Sequence, residues 1–329
     1  MIVPHELGRA RLVQGLPDGR PQKVLRIDAT DAAPTLIGRL LVGSYITGQD
    51  QILVAARNGL SPEQRAEIRR VVDRLLGMTV VGETANSVEI QNFVDPSKHQ
   101  MPRLLQRVVG LLRDELAVCD HALAFGETAP LARLDGLEEE VDQLYLLMAR
   151  QLLLSSEDAH VAREIDVASR HYQVGYRLVA KALEVAGDLV HGVGTDLRQH
   201  ASGFRSLPPR VAHELLLRVR RVENALDRTM EAFASLSVAE ADATLNRIAE
   251  LLQRDARLGQ LVARSIPDHR LAIAAQRIAS HLAIVLEMLV IINEVTINRS
   301  VEPETVALTG SRVITEVRRP RGPGPEFPH

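Results

Sequence analysis

Tyr176-Arg177-Leu178-Val179-Ala180-Lys181-Ala182-Leu183-Glu184-Val185-Ala186-Gly187-Asp188-Leu189-Val190 decides the class of this chain. Small and apolar residues run through it without a proline, and two acids four apart share one helix face. It lies in a proline-free stretch between Pro130 and Pro208, and a second such stretch runs from Pro209 to Pro267. Proline breaks helix interiors, so these stretches suit long helices. Pro102, Pro130, Pro208 or Pro209, and Pro267 each precede an apolar-periodic run, the place where a first helical turn accepts proline. Six helices are predicted. The first runs from Pro102 to Phe125, stopped by Gly126, and the second from Pro130 to Leu154. The third runs from Asp158 to Gln199 with a bend near Gly192 and Gly194. The fourth spans Pro208 to Leu236. The fifth opens at a Ser237–Glu240 capping box and ends near Ser265, and the sixth spans Pro267 to Glu294. They fall into two successive sets of three, which suggests tandem three-helix bundles.

The segment before the helices has another rhythm. Lys23 to Ile27 alternates like a strand, Thr35 to Thr47 reads as a short amphipathic helix, and Gln51 to Ala55 as a strand. Ser61-Pro62-Glu63-Gln64 supplies an N-cap, a proline at the first helical position and a capping-box glutamine for a helix ending at Gly77. Met78 to Glu83 and Ser87 to Phe93 read as strands around a turn at 84–86. The order is βαβαββ. Thr305 to Leu308 and Arg312 to Val317 flank Thr309-Gly310 as a hairpin, expected to complete the edge of that sheet. The fold class expected is mainly α: two tandem three-helix bundles preceded by a small α/β domain, with a short C-terminal β-hairpin. The divisions are an N-terminal stub (1–21), an α/β linker domain (22–95), a first bundle (101–203), a second bundle (204–296), and a hairpin with a loose tail (297–329).

Composition narrows the function. The 329 residues suit two or three domains, and 46% apolar with 25% charged residues is ordinary for a folded soluble chain. A net charge of −3 argues against a chain basic throughout that coats nucleic acid. Only 3% of residues are aromatic, too few for base-stacking platforms. Cys119 is the single cysteine, so neither an intrachain disulfide nor a thiolate cluster can form. The N-terminus does not read as a signal peptide, and no uncharged apolar run approaches the ~18 residues of a membrane span. A cytoplasmic location without a membrane span is expected. Glycine-rich phosphate loops, His-Glu-x-x-His and Gly-x-Ser-x-Gly motifs are missing, which points to no organic cofactor and no enzymatic activity.

The remaining chemistry is paired carboxylates. Glu138 and Asp142 stand four apart in the second helix, as do Glu184 and Asp188 in the third. Two helices that aim such pairs at each other can enclose a cation, because hard and borderline metals accept oxygen ligands. Acids amid the apolar surface of Leu183 to Val190 need a partner, and His191 could add a ligand. The plain alternative is a solvated face with salt bridges such as Asp142 with Arg150 or Arg133.

Two stretches resemble the PhoU family of phosphate-signalling proteins, in the form of archaeal phosphate uptake regulators. One is Ser61-Pro62-Glu63-Gln64-Arg65 through Leu76-Gly77-Met78-Thr79-Val80-Val81 to Ser87-Val88-Glu89-Ile90-Gln91-Asn92-Phe93-Val94-Asp95-Pro96, which is similar to the family's linker domain. The other is Glu140-Val141-Asp142-Gln143-Leu144-Tyr145 with Tyr176 to Glu184, similar to its first bundle. The resemblance implies two tandem bundles with metal on acid-x-x-x-Asp motifs, here Glu138, Asp142, Glu184 and Asp188, and iron, zinc or manganese as the ion. Where the family has an Asp-His pair and a following Asn, this chain has Asp188-Leu189 and Gly192. In the second bundle the matching positions are Gln276 and Ser280, with Asp242 and Asn246 altered as well. Many archaeal relatives begin with an AbrB-like DNA-binding module, and Met1-Ile2-Val3-Pro4 resembles its tail.

The function implied is regulation of phosphate uptake and homeostasis, through contact with a phosphate ABC transporter ATPase or a sensor histidine kinase. A homodimer is expected, and DNA binding only if a missing N-terminal module exists. The alternative is a transcription regulator of the AbrB-PhoU type whose DNA-binding module is cropped. A carboxylate-bundle enzyme is the least favoured reading, since the Glu-x-x-His pairs of such enzymes are missing.

Overall fold

The computed structural model describes residues 11–13, 22–167 and 170–301. The protein is mainly helical with a small sheet near the N-terminus. The sheet unit comprises β1 (Arg11–Val13), β2 (Gln22–Asp28), α1 (Pro34–Ile46), β3 (Gln51–Ala55), α2 (Pro62–Asp73), β4 (Met78–Glu83) and β5 (Ser87–Asn92). Its strand order is β1-β2-β3-β5-β4. β2 and β3 run parallel across the α1 crossover, and β3 pairs antiparallel with β5, setting Ile52 opposite Ile90 and Val54 opposite Val88. Those four side chains are buried, and α1 and α2 contribute Ile37, Leu41, Ile68 and Val71 to the same core. The period of two in the strands and of 3.6 in the helices thus meet on one apolar layer. The capping box at α2 forms as the sequence implies. Ser61 Oγ accepts from Gln64 N at 3.2 Å, and Gln64 Oε1 accepts from Ser61 N at 2.9 Å. Gln64 Nε2 also donates to the Ala29 and Ala32 carbonyls, both at 2.9 Å, which ties the start of α2 to the β2–α1 loop.

The βαβαββ order is as expected. The free edge of β2 differs: β1, which falls within the N-terminal stub of the sequence reading, pairs antiparallel with it. The hairpin expected at 305–317 and the tail lie outside the described residues.

The helices are α3 (Met101–Phe125), α4 (Leu134–Glu157), α5 (Ala159–Glu164), α6 (Arg170–Gln199), α7 (Ala201–Arg205), α8 (Pro209–Ser235), α9 (Val238–Gln253), α10 (Asp255–Ser265) and α11 (His269–Ser300). Among them α3, α4 and α6 pack against one another, as do α8, α9 and α11, and the α6–α11 and α3–α8 pairs join the two sets. One continuous apolar core runs through all of these. Gly126 ends α3 in a left-handed conformation, the stop read from sequence.

The third predicted helix is two. Asp158 caps α5, the chain turns at Ile165–Val167 with Asp166 at a φ of 62°, and Val167 N donates back to Ala162 O at 2.8 Å. No glycine or proline marks this break. Gly192 and Gly194 lie inside an uninterrupted α6, where they serve close packing. A Cβ on Gly194 would stand 1.9 Å from Leu134 Cδ1 of α4. The fifth predicted helix also divides, into α9 and α10, at Arg254.

By length and composition α11 could cross a membrane, the one described helix that could. Here it packs on α6, α8 and α9 with Ile278, Leu282, Leu286 and Leu289 buried. Arg277 of α11 forks onto Asp196 of α6, whose side chain has no solvent exposure. Removing one partner of such a pair strands a buried charge. Arg277→Ala is therefore expected to cost about 3 kcal/mol in urea unfolding, and the double variant Arg277→Met/Asp196→Leu to recover most of it. A loss below ~1 kcal/mol, the range of an exposed pair, would mean that this pair does not hold α6 to α11.

Candidate metal centre

Glu138 and Asp142 project from one face of α4, and Asp188 from the adjoining face of α6. One carboxylate oxygen of each comes within 4.8 Å of the other two. These are three of the four residues that the sequence singles out. The fourth, Glu184, sits one turn before Asp188 but is largely buried, and Lys181 holds its Oε2 at 2.5 Å. Lys181 also stands 5.0 Å above the Tyr145 ring, so its ammonium is fixed from two sides.

The electrostatics are unfavourable as they stand. Desolvation by the surrounding helices raises the Glu138 carboxyl above its usual range, and Asp142 adds repulsion. Asp188 is raised as well, by desolvation first, then by Asp142 and Glu138. Glu184 is raised by burial, opposed by its hydrogen bond from Lys181. Arg74 of the sheet unit forms an ion pair with Asp142. Among the described residues no hydrogen bond or ion pair reaches Glu138 or Asp188.

Behind this group lies a residue that the sequence reading missed. Glu115 of α3 has no solvent exposure, and neither of its carboxylate oxygens has a hydrogen-bond partner. Burial, with smaller contributions from Glu138 and Asp188, lifts its carboxyl to about 9. Gly187 of α6 lies beside it, in close contact with Val141 of α4. A Cβ there would sit 3.3 Å from Val141 Cγ1 and 3.8 Å from Glu115 Oε2. The signal was present in the sequence: Glu115 interrupts the apolar stripe formed by Val108, Leu111, Leu112, Leu116 and Cys119. An acid on a core stripe is costly unless something compensates it.

The plain alternative named Arg150 or Arg133 as partner for Asp142. The structure gives Arg74 instead. Arg150 is buried on the side of α4 that faces the sheet unit, donating to the Tyr45 carbonyl at 2.7 Å and the Gln49 carbonyl at 3.0 Å. His191 does not join the acids either. Its Nε2 lies 2.9 Å from Asp135 Oδ1, and Arg198 donates to the other Asp135 oxygen at 3.2 Å. In the second set of helices, Asn246 Nδ2 donates to Asp242 Oδ2 at 3.3 Å.

Beside the acids a cleft of about 500 Å³ separates α1 and α2 from α4 and α6. Arg39, Arg70 and Arg74 line one wall, and Asp142, Tyr145 and Glu184 the other. Comparison with protein-family models, curated proteins and solved structures finds no match for the chain.

The donor set can be judged on its own chemistry. Converging carboxylate oxygens at this spacing suit a hard or borderline cation. A buried, unpartnered carboxyl behind them is the kind of group that a nearby positive charge would stabilise in its ionised form. The residues present therefore fit a metal ion, with Glu138, Asp142 and Asp188 to hold it. Glu184 does not belong to that inner group while Lys181 holds it.

Proposed function

We propose that this chain is a non-enzymatic, PhoU-like regulator of phosphate uptake and phosphate homeostasis. It acts by contact with a phosphate ABC transporter ATPase or a sensor histidine kinase. In this reading the helices form two tandem three-helix bundles, α3, α4 and α6 followed by α8, α9 and α11, and the first carries a cation. The observation that carries the reading is the convergence of Glu138, Asp142 and Asp188 from two facing helices above the unpartnered Glu115. A bound iron, zinc or manganese ion would neutralise these carboxylates and tie α4 to α6. Asp142 then links the cation site to the sheet unit through Arg74.

The experiment is capture of the tagged chain from phosphate-replete cells, with phosphate uptake measured in a deletion strain. Recovery of the transporter ATPase or the kinase, with uptake no longer repressed at high phosphate, is expected. Unchanged uptake in the deletion strain, with neither partner recovered, would contradict the reading.

A further inference from the structure

A second polar groove lies between α8 and α9, away from the acidic group. It has a volume of about 170 Å³, and Arg220, Arg221, Arg228 and Arg247 line it together with Asn224 and Thr244. No acid lines it. Two of the arginines are engaged outside the groove: Arg220 with Asp120 of α3 at 2.7 Å, and Arg247 with Glu250 at 3.0 Å along its own helix. Arg221 and Arg228 have no hydrogen-bond or ion-pair partner among the described residues. They stand seven apart, on one face of α8 two turns from each other.

The wall supplies a second, independent observation. Thr244 is only 2% exposed, and its hydroxyl makes no hydrogen bond. A buried threonine in a helix ordinarily donates to the carbonyl four residues before it. An orphaned hydroxyl costs free energy unless a ligand or water satisfies it. Here Thr244 lines the same small groove as the four arginines, two of which, Arg221 and Arg228, have no partner among the described residues.

We propose that this groove binds a tetrahedral oxyanion of the phosphate class. Arginine presents planar donor pairs that match the oxygens of a phosphate group, and such charge-assisted bonds are the strong ones. Arg221 and Arg228 bring uncompensated positive charge, Thr244 donates a hydroxyl hydrogen, and Asn224 can donate its amide. The volume admits one phosphate group and little more, so the class is a free anion or the phosphoryl end of a small ester. The site is independent of the cation reading, since none of its residues belongs to α4 or α6.

The test is calorimetric titration of the full chain, stripped of metal by chelator, with inorganic phosphate, glycerol 3-phosphate and sulfate in separate arms. Phosphate or glycerol 3-phosphate should bind with one site per chain, and the tighter of the two identifies the source. Arg221→Gln/Arg228→Gln should weaken that binding about a hundred-fold, and Thr244→Val about ten-fold, as charge-assisted hydrogen bonds are lost. Thr244→Val should leave the melting temperature of the free protein unchanged or higher, which a purely structural hydroxyl would not do. The exposed Arg103→Gln serves as the charge control and should bind like the parent. Heat from none of the three anions up to ten millimolar would overturn the proposal. So would equal binding by the double variant, or an equal loss in Arg103→Gln, which would reduce the effect to general surface charge.

Discussion

In chelator-treated protein, Glu115→Gln is expected to raise stability to urea at pH 7.5 by on the order of 3 kcal/mol. The reason is proton linkage. In the unfolded chain this carboxyl titrates in the ordinary range of about 4.5, whereas burial in the folded protein lifts it to about 9. The fold therefore favours the protonated form. Its contribution is fully present below the unfolded value, declines as pH rises, and is lost by the folded value. Glutamine has nearly the same shape and carries no proton to lose. Parent and variant should match near pH 4 and diverge steadily toward pH 9, with the variant ahead. Urea midpoints at four or five pH values read this directly. Parallel curves would mean that Glu115 is ionised throughout and already compensated. Adding manganese should narrow the gap, because a cation beside Glu138 and Asp188 removes part of the repulsion that raises Glu115.

Arg150→Ala carries the second large effect, an expected loss of about 3–5 kcal/mol. The Arg150 side chain is almost wholly buried. Besides the Tyr45 and Gln49 carbonyls it reaches Asp50 Oδ1 at 3.4 Å, and its guanidinium lies 5.1 Å from the Tyr45 ring centroid. Alanine would leave the Gln49 carbonyl and Asp50 without this partner and open a void between α1 and α4. Because these contacts join the sheet unit to the helices, the variant should unfold in two steps where the parent unfolds in one. Residues 22–95 should become the first protease-sensitive part. Urea unfolding followed by far-ultraviolet circular dichroism, with limited proteolysis at intermediate urea, measures both. A single transition with an unchanged midpoint would show that Arg150 does not fasten the two parts.

Much of this architecture could be read from local chemistry. Ser61-Pro62-Glu63-Gln64 specified a capped helix start, and the prolines at 102, 130, 208, 209 and 267 placed helix starts to within a few residues. These signals act over one turn. The break at Ile165–Val167 was not legible, because Asp166 takes a left-handed conformation there without a glycine or proline to announce it. Gly192 and Gly194 suggested a bend, yet glycine also permits helices to approach, and the His281 ring at Gly192 and a Leu134 methyl at Gly194 decided which use applied. At the candidate site, the i, i+4 spacing found Glu138, Asp142 and Asp188. It could not show that Lys181, one turn away, would take Glu184. Arg74 and Arg150 reach their partners from distant sequence, so no local pattern could assign them. Glu115 was legible as an acid on a core stripe, but it has no acid four residues away, so the pair spacing does not point to it.

The most direct test of the central claim is metal content after equilibrium dialysis against manganese, zinc or ferric iron, measured by elemental analysis. The parent is predicted to retain a stoichiometric amount of at least one of them. Glu138→Gln/Asp188→Asn, which removes two carboxylates that have no partner among the described residues, should lose it. Glu184→Gln should keep it, since Lys181 already holds that side chain. A parent that retains no metal, or a double variant that retains as much as the parent, would contradict the account and return these acids to an ordinary surface.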